Sequence, residues 1–259
     1  MKVTFMGTGT SVGVPAIGCR CDVCRSHDPM NRRTRTSALL TCDGRRVLLD
    51  ASVDLRQQAL REEMDSLDAV LLTHGHADHV FGLDDLRMFN YRQQMPIPIY
   101  GSERTLADVR RTFWYVFDDR PDASSRPALT LTPIISATDP FMTAGLRVTP
   151  FAVLHGTVPI LGYRIGRFAY ITDASDLSDE TVSALAGLDA LVINALRRKP
   201  HPTHFNLEGA LAAIERIGPK RAFLTHISHE FDHGSLSREI PDGVQPAYDG
   251  LSFEVDHTS

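Results

Sequence analysis

At 259 residues the chain is long enough to bury a sizeable core in one large or two small domains. Its 42% hydrophobic and 23% charged content is that of an ordinary globular protein, and no apolar run approaches the roughly 20 residues that span a bilayer. A net charge of −5 argues against a general nucleic-acid surface, which would be strongly basic, and the opening Met1–Gly7 stretch has no signal-peptide shape, so cytoplasm is the expected compartment.

In chain order, Val3 to Met6 reads as a strand running into a glycine- and hydroxyl-rich loop, Gly7 to Pro15, whose amides and hydroxyls suit a turn or an anion. Cys19, Cys21 and Cys24 follow, then a basic stretch, Arg32-Arg33-Thr34-Arg35. Ala38 to Cys42 and Arg46 to Asp50 read as paired strands joined at Asp43-Gly44, a favoured hairpin turn. Val53 to Glu63 has helical periodicity, Ala69 to Leu72 is a buried strand, and Val80 to Phe89 reads as a helix. Ile97 to Tyr100 is a short strand, Arg104 to Phe117 a helix carrying the single tryptophan, and Asp118 to Arg126 a polar loop or cover. Strands are expected at Leu129–Ile135, Leu146–Val153, Gly162–Ile165, Phe168–Ile171, Ala190–Ile193 and Arg221–Leu224, with helices at Asp179–Leu185 and Leu207–Ile217. This alternation gives a layered α/β fold.

The densest chemistry lies in Thr73-His74-Gly75-His76-Ala77-Asp78-His79, directly after the Ala69–Leu72 strand. Imidazole and carboxylate are the donors that divalent transition metals favour, and four of them fall within six positions. His74 and His76 alternate in the strand sense and point one way, whereas Asp78 and His79 fall on a turn or helix start, which suits a second metal beside the first. The same grammar, an apolar strand ending in a ligand, recurs at His155, Asp173 and His226. Asp50 ends its strand just ahead of a helix and either orients a ligand or caps. Cys19-x-Cys21-x-x-Cys24 is too tight for mutual disulfides and is a thiolate clamp for a structural zinc, which needs one further ligand. Cys42 stands apart and is expected to pack as a small apolar residue; His27, His233 and His257 are expected at the surface.

His-x-His-x-Asp-His after an apolar strand resembles the metallo-β-lactamase superfamily, whose members are mostly hydrolases. The resemblance implies one four-layer αββα sandwich over residues 1–259, with a small zinc-binding loop at about 15–30. Residue by residue, it implies that His74, His76 and His155 hold one metal while Asp78, His79 and His226 hold a second. Asp173 would bridge the pair, and a shared hydroxide would attack the substrate. All donors are nitrogen or oxygen, which permits zinc, manganese or iron, with Mn²⁺ or Zn²⁺ as the expected pair. The Gly7–Pro15 loop running into the cysteines, together with Thr225-His226-Ile227-Ser228-His229-Glu230-Phe231-Asp232, is similar to the carbon–phosphorus-lyase-associated phosphodiesterases. Those enzymes open phosphoribosyl cyclic phosphates and accept cyclic nucleotides. That likeness implies His229 as the fourth ligand of the structural Zn²⁺ and His204 as the acid that protonates the departing alkoxide, with Asp78 and Asp173 as the other catalytic-centre residues. An imidazolium near neutral pH is a ready acid for so poor a leaving group. Thr8, Ser11, Arg35 and Ser37 are candidate substrate contacts.

The expected function is hydrolysis of a small cyclic or nucleotide phosphodiester, with no stable nucleic-acid or membrane partner and a homodimer as the expected assembly. A transfer-RNA 3′-processing nuclease is an alternative, but such enzymes need an extended basic or glycine-rich arm and the sequence has no such insertion. Thioester or lactam hydrolysis would explain neither His204 nor the cysteine clamp. A non-catalytic accessory protein of cofactor biosynthesis would be marked by lost metal ligands, and every expected ligand is present.

Overall fold

The structure, a computed structural model, describes residues 1–118 and 125–257. Strands β1 (Lys2–Gly7), β2 (Ser37–Cys42), β3 (Arg45–Leu49), β4 (Ala69–Leu71), β5 (Ile97–Ser102) and β6 (Leu129–Ile134) form a first sheet in that spatial order. The second sheet runs from β7 (Phe141–Thr143) through β8 (Leu146–His155), β9 (Val158–Ile165), β10 (Phe168–Tyr170), β11 (Ala190–Asn194) and β12 (Arg221–Thr225) to β13 (Val244–Pro246). The chain then returns to the first sheet, where β14 (Ser252–Glu254) pairs with β1, so each sheet has seven strands.

Pairing changes sense within each sheet. β1, β2 and β3 are antiparallel neighbours, whereas β3 to β6 are parallel; β7 to β10 are antiparallel, whereas β10 to β13 are parallel. Parallel strands covered on both faces need continuous apolar sequence, and β11 is buried at every position. The loops that follow β3, β4, β10 and β12 therefore leave from one edge of the sandwich, and the ends of parallel strands are where such folds place ligands.

Three apolar layers hold the sheets. Phe5, Leu40, Val47 and Leu71 of the first sheet meet Tyr163, Tyr170, Val192 and Phe223 of the second in the central layer. The buried Tyr163 hydroxyl donates to Leu72 O at 2.6 Å, stitching one sheet to the other without leaving a polar atom orphaned. α1 (Asp22–Arg25) lies in the cysteine loop; on the outer face of the first sheet lie α2 (Leu55–Arg61), α3 (Ala77–Val80), α4 (Arg87–Gln93) and α5 (Glu103–Thr112), of which α2, α4 and α5 cover a core around Leu48, Leu83 and Ile99. The second sheet is covered by α6 (Asp179–Ala184), α7 (Leu207–Ile217) and α8 (His233–Glu239) over Ile193, Leu224 and Phe231. The order is the αββα sandwich that the sequence resemblance implies. In α7 the local signals agree with one another: Asn206 caps the first turn through Gly209 N, Leu207, Ala210, Ala213, Ile214 and Ile217 line one buried face, and Gly218 ends the helix at φ +66°.

Several elements differ from the sequence reading. The helix expected at Val80–Phe89 is broken into α3, a 3₁₀ segment at Phe81–Leu86 and α4. Its middle is forced close to the backbone before α2: a Cβ on Gly82 would lie 2.1 Å from Ser52 O. The helix expected to reach Phe117 stops at Thr112, because Phe113 turns inward to 6% exposure and Trp114–Val116 forms a separate 3₁₀ turn. α8, β7, β13 and β14 carry too little periodicity to be read from sequence. Of the loop expected over Asp118–Arg126, residues 119–124 lie outside the described residues.

Candidate metal centre

Each ligand-bearing loop begins where a strand has just ended. His74 follows β4, His155 is the last residue of β8, Asp173 follows β10, and His226 directly follows β12. His76 occupies the residue before α3, and Asp78 and His79 lie within that helix. The donor atoms fall into two groups, His74/His76/His155 and Asp78/His79/Asp173/His226, each with its donors within 4.8 Å of one another. Asp173 joins the groups: its Oδ1 is 3.4 Å from His79 Nε2 and 3.3 Å from His226 Nδ1, while its Oδ2 lies 4.0 Å from His74 Nε2. Three buried polar atoms here lack any hydrogen-bond partner, namely His74 Nε2, Asp78 Oδ2 and His79 Nε2. Orphaned polar atoms are costly in a protein interior. Nitrogen and oxygen donors left unpaired and aimed at one another fit divalent cations, so the residues present suit the metals that the fold family uses.

A layer of hydrogen bonds fixes the candidate ligands. Asp50 is fully buried at φ +61°; its Oδ2 accepts from His79 Nδ1 at 2.8 Å, and its Oδ1 accepts from Thr73 N at 2.8 Å. Thr73 Oγ1 also reaches His74 Nδ1 at 3.0 Å. His155 Nδ1 faces the carbonyls of Asp173 and Thr203, both at 2.8 Å, which commits its other nitrogen to the site. Thr36 Oγ1 lies 3.1 Å from His226 Nδ1. Asp50, Asp173 (φ +58°) and His226 (φ +55°) all adopt left-handed backbone, which costs of order 1–3 kcal/mol each for such residues. Surrounding structure must hold these conformations, and their gathering at one strand edge marks a site.

Burial pushes the His74 imidazole well below its ordinary value, with the neighbouring His79 charge adding to the effect. Burial likewise takes His226 down to about 4, and His76 is lowered mainly by burial. Burial would lower His79 too, but Asp173, Asp78 and Asp50 outweigh it and hold this imidazole well above the usual range. Burial opposes ionisation of Asp173, yet His226 and His79 keep it ionised well below the usual carboxylate range.

His204 Nε2 lies 3.0 Å from Asp173 Oδ2, and its ring stacks on His226 with centroids 5.1 Å apart. Thr203 Oγ1 holds its Nδ1 at 2.9 Å, and His201 sits behind it with Nδ1 3.2 Å away. At the other cluster, Cys19 Sγ and Cys21 Sγ lie 3.5 and 3.4 Å from His229 Nδ1, and Cys24 completes a group of four donors. Burial raises the Cys24 thiol to about 11, whereas backbone hydrogen bonds lower Cys19 and Cys21. A cation joining these four would tie the segment around α1 to the loop after β12.

The candidate substrate contacts are placed differently. Thr8 is fully buried, and both its N–H and its hydroxyl donate to Asp249 Oδ1. Ser37 is fully buried and donates to Asp50 O at 2.8 Å. Both hydroxyls therefore brace loops and face no ligand. Arg35 pairs with Asp54 at 3.0 Å and donates to Ser11 O at 3.2 Å; Ser11 itself is exposed in a turn. Asp249 was not singled out by its sequence: with its side chain 8% exposed, it receives both N–H and O–H of Thr8 and of Thr34. Its only local signal is the Asp249-Gly250 turn. His233 is half-buried 3.3 Å from Arg33 Nη2, not at the surface as expected.

Residues 45–227 match the family described as Beta-lactamase superfamily domain. A solved structure described as a new diphosphatase from the PhnP family superposes with a TM-score of 0.92 at 39% identity, covering 99% of this chain and 98% of that one. Zn²⁺-bound PqqB from Methylobacterium extorquens superposes with a TM-score of 0.82 at 26% identity, covering 98% of this chain and 100% of that one. In sequence, an octanoyltransferase of Porphyromonas gingivalis is 43% identical over 262 residues, covering 99% of this chain and 52% of the relative, so the chain spans about half the length of that protein. Coenzyme PQQ synthesis protein B of Methylorubrum populi is 31% identical over 98% of this chain and 100% of the relative. Among the described residues no helix is long and apolar enough to cross a membrane. The chain belongs to the beta-lactamase superfamily and has its metallo-β-lactamase fold.

Proposed function

We propose that the protein is a dinuclear-metal phosphodiesterase that hydrolyses small cyclic or nucleotide phosphodiesters. The observation that carries this reading is the convergence of two donor groups on Asp173, with His204 3.0 Å from the same carboxylate. Two Mn²⁺ or Zn²⁺ ions held there would supply Lewis acidity, lowering the pKa of water and neutralising charge on phosphorus. Around them the chain's own residues have separate tasks. Asp50 and Thr73 orient His79 and His74, backbone carbonyls orient His155, and Thr36 orients His226. His204, held by Thr203, delivers a proton to the departing alkoxide. The Cys19/Cys21/Cys24/His229 group holds a structural Zn²⁺. The protein acts on its small substrate as a homodimer in the cytoplasm.

The similarity to a PhnP-family diphosphatase supports attack on phosphorus and adds the diphosphate linkage as a substrate to test. Two other readings have specific support. The likeness to PQQ synthesis protein B favours an accessory role, and the octanoyltransferase relative, of which only about half is matched, points to acyl chemistry. One panel separates them: metal-free protein given Mn²⁺ or Zn²⁺ with bis(p-nitrophenyl) phosphate, a 2′,3′-cyclic nucleotide, a diphosphate diester, a phosphomonoester and an octanoyl thioester. The expected result is turnover of phosphodiesters with little on the monoester and none on the thioester. Preferred thioester cleavage, or no turnover of any diester by metal-loaded protein, overturns the proposal.

A further inference from the structure

We propose that Cys42, Asp43 and His257 form a further cation site, separate from the other two, with zinc as the ion its donors favour. Cys42 Sγ lies 3.0 Å from His257 Nε2 and 3.6 Å from Asp43 Oδ2, and the three donor atoms fall within 4.8 Å of one another. Sequence alone gave Cys42 no partner, because His257 is 215 residues away. The site lies at the far end of β2 from the main centre. That strand starts beside Thr36, which touches His226, and at about 3.3 Å per residue its six residues carry Cys42 roughly 20 Å away.

Each donor is held by local structure. Cys42 closes β2 opposite Arg45 and is 8% exposed. Asp43 and Gly44 turn the hairpin in left-handed backbone, at φ +49° and +75°, which leaves the Asp43 carboxylate beside the thiol of its neighbour. The segment leading to His257 is held by Val255 N donating to Met1 O at 2.9 Å and Arg167 N donating to Asp256 O at 3.3 Å. Gly166, at φ +55°, permits this approach, since a Cβ there would stand 2.6 Å from His257 Cα. The opposite ring nitrogen, Nδ1, lies 3.2 Å from the Met1 nitrogen.

A thiolate, an imidazole and a carboxylate form a mixed soft and hard donor set that suits Zn²⁺, with a fourth position left for water. A Zn²⁺ ion takes the sulfur as thiolate, so binding releases the thiol proton to solvent. Cys42 and Asp43 also border an open groove of about 960 Å³, whose other walls include Arg45, Asp68 and Tyr100.

The test uses the whole chain, loaded with Zn²⁺ and desalted, with zinc measured by elemental mass spectrometry in the parent, Cys42→Ser and His257→Gln. Each variant should hold one zinc fewer than the parent while its phosphodiester turnover is unchanged. Because the readout is a difference, it holds whether or not the dinuclear centre works as proposed. A second readout follows alkylation of Cys42 by iodoacetamide through its peptide mass. At zinc about tenfold above the dissociation constant the parent should react about tenfold more slowly than without zinc, and His257→Gln should show no protection. Equal zinc content in parent and His257→Gln, with alkylation indifferent to zinc, reduces the contact to a thiol–imidazole hydrogen bond and overturns the proposal.

Discussion

Replacing Asp50 with Asn tests how the metal ligands are held. The carboxylate is fully buried and accepts hydrogen bonds from His79 Nδ1 at 2.8 Å, Thr73 N at 2.8 Å and Thr73 Oγ1 at 2.9 Å. Asn matches its shape and tolerates the left-handed φ of +61°, so the backbone is not the variable. The change removes the charge and puts an N–H₂ where one of two acceptor oxygens stood. If that amide meets His79, the ring reverses its tautomer and aims Nε2–H, not a lone pair, at the site. Losing such a buried partner of a metal-ligating histidine costs about 10–100-fold in metal affinity, or about 1.4–2.7 kcal/mol. The loss should fall on the Asp78/His79/Asp173/His226 group and leave His74/His76/His155 much less affected. Competition against a chromogenic chelator measures the two affinities separately, and melting of the metal-free variant checks that it folds. Two affinities within twofold of the parent in a folded variant would refute this role for Asp50.

Four further outcomes follow from the same geometry. Loading metal-free protein near pH 7 should release a proton from His79, which its three carboxylates keep charged, whereas His74 and His226 are already neutral; affinity should therefore fall as pH falls, and titration calorimetry in buffers of different ionisation enthalpy should detect the release. His204→Ala should slow diesters with poor leaving groups by about 10²–10⁴-fold and an activated nitrophenyl diester far less, and equal slowing removes the residue from the acid role. Cys21→Ser should lose the structural zinc and, at zinc about 100-fold above the dissociation constant, about 2.7 kcal/mol of stability, with unchanged folding counting against the clamp. Gly82→Ala places a Cβ 2.1 Å from Ser52 O and should cost about 1–3 kcal/mol, measured by urea unfolding.

The candidate centre was legible in sequence because His74, His155, Asp173 and His226 each end or closely follow an apolar strand. The strand pattern announces where backbone direction is fixed, and the residue type announces the chemistry, as at Leu71–His79 and Phe223–His226. Long parallel-strand segments such as Ala190–Asn194 and the capped helix Leu207–Ile217 were readable for the same reason. What stayed hidden depends on meetings between distant segments. Thr8 and Ser37 look like ligand contacts until Asp249 and the Asp50 carbonyl are found to occupy their hydroxyls. Short edge strands such as Val244–Pro246 form by pairing with β12 and carry no period of their own. The break at Phe81–Leu86 reflects the close pass at Gly82, a tertiary constraint that overrides local helix preference.

Asp173 stands between the two donor groups, and the proposed chemistry requires them to act as one centre. Stepwise addition of Mn²⁺ to metal-free protein, with hydrolysis of bis(p-nitrophenyl) phosphate followed at each equivalent, tests this most directly. The predicted trace has almost no activity without metal, rises most steeply as the second active-site ion binds, and is abolished in Asp173→Ala. Full diester hydrolysis without metal, or none after both ions are shown to be bound, would contradict it.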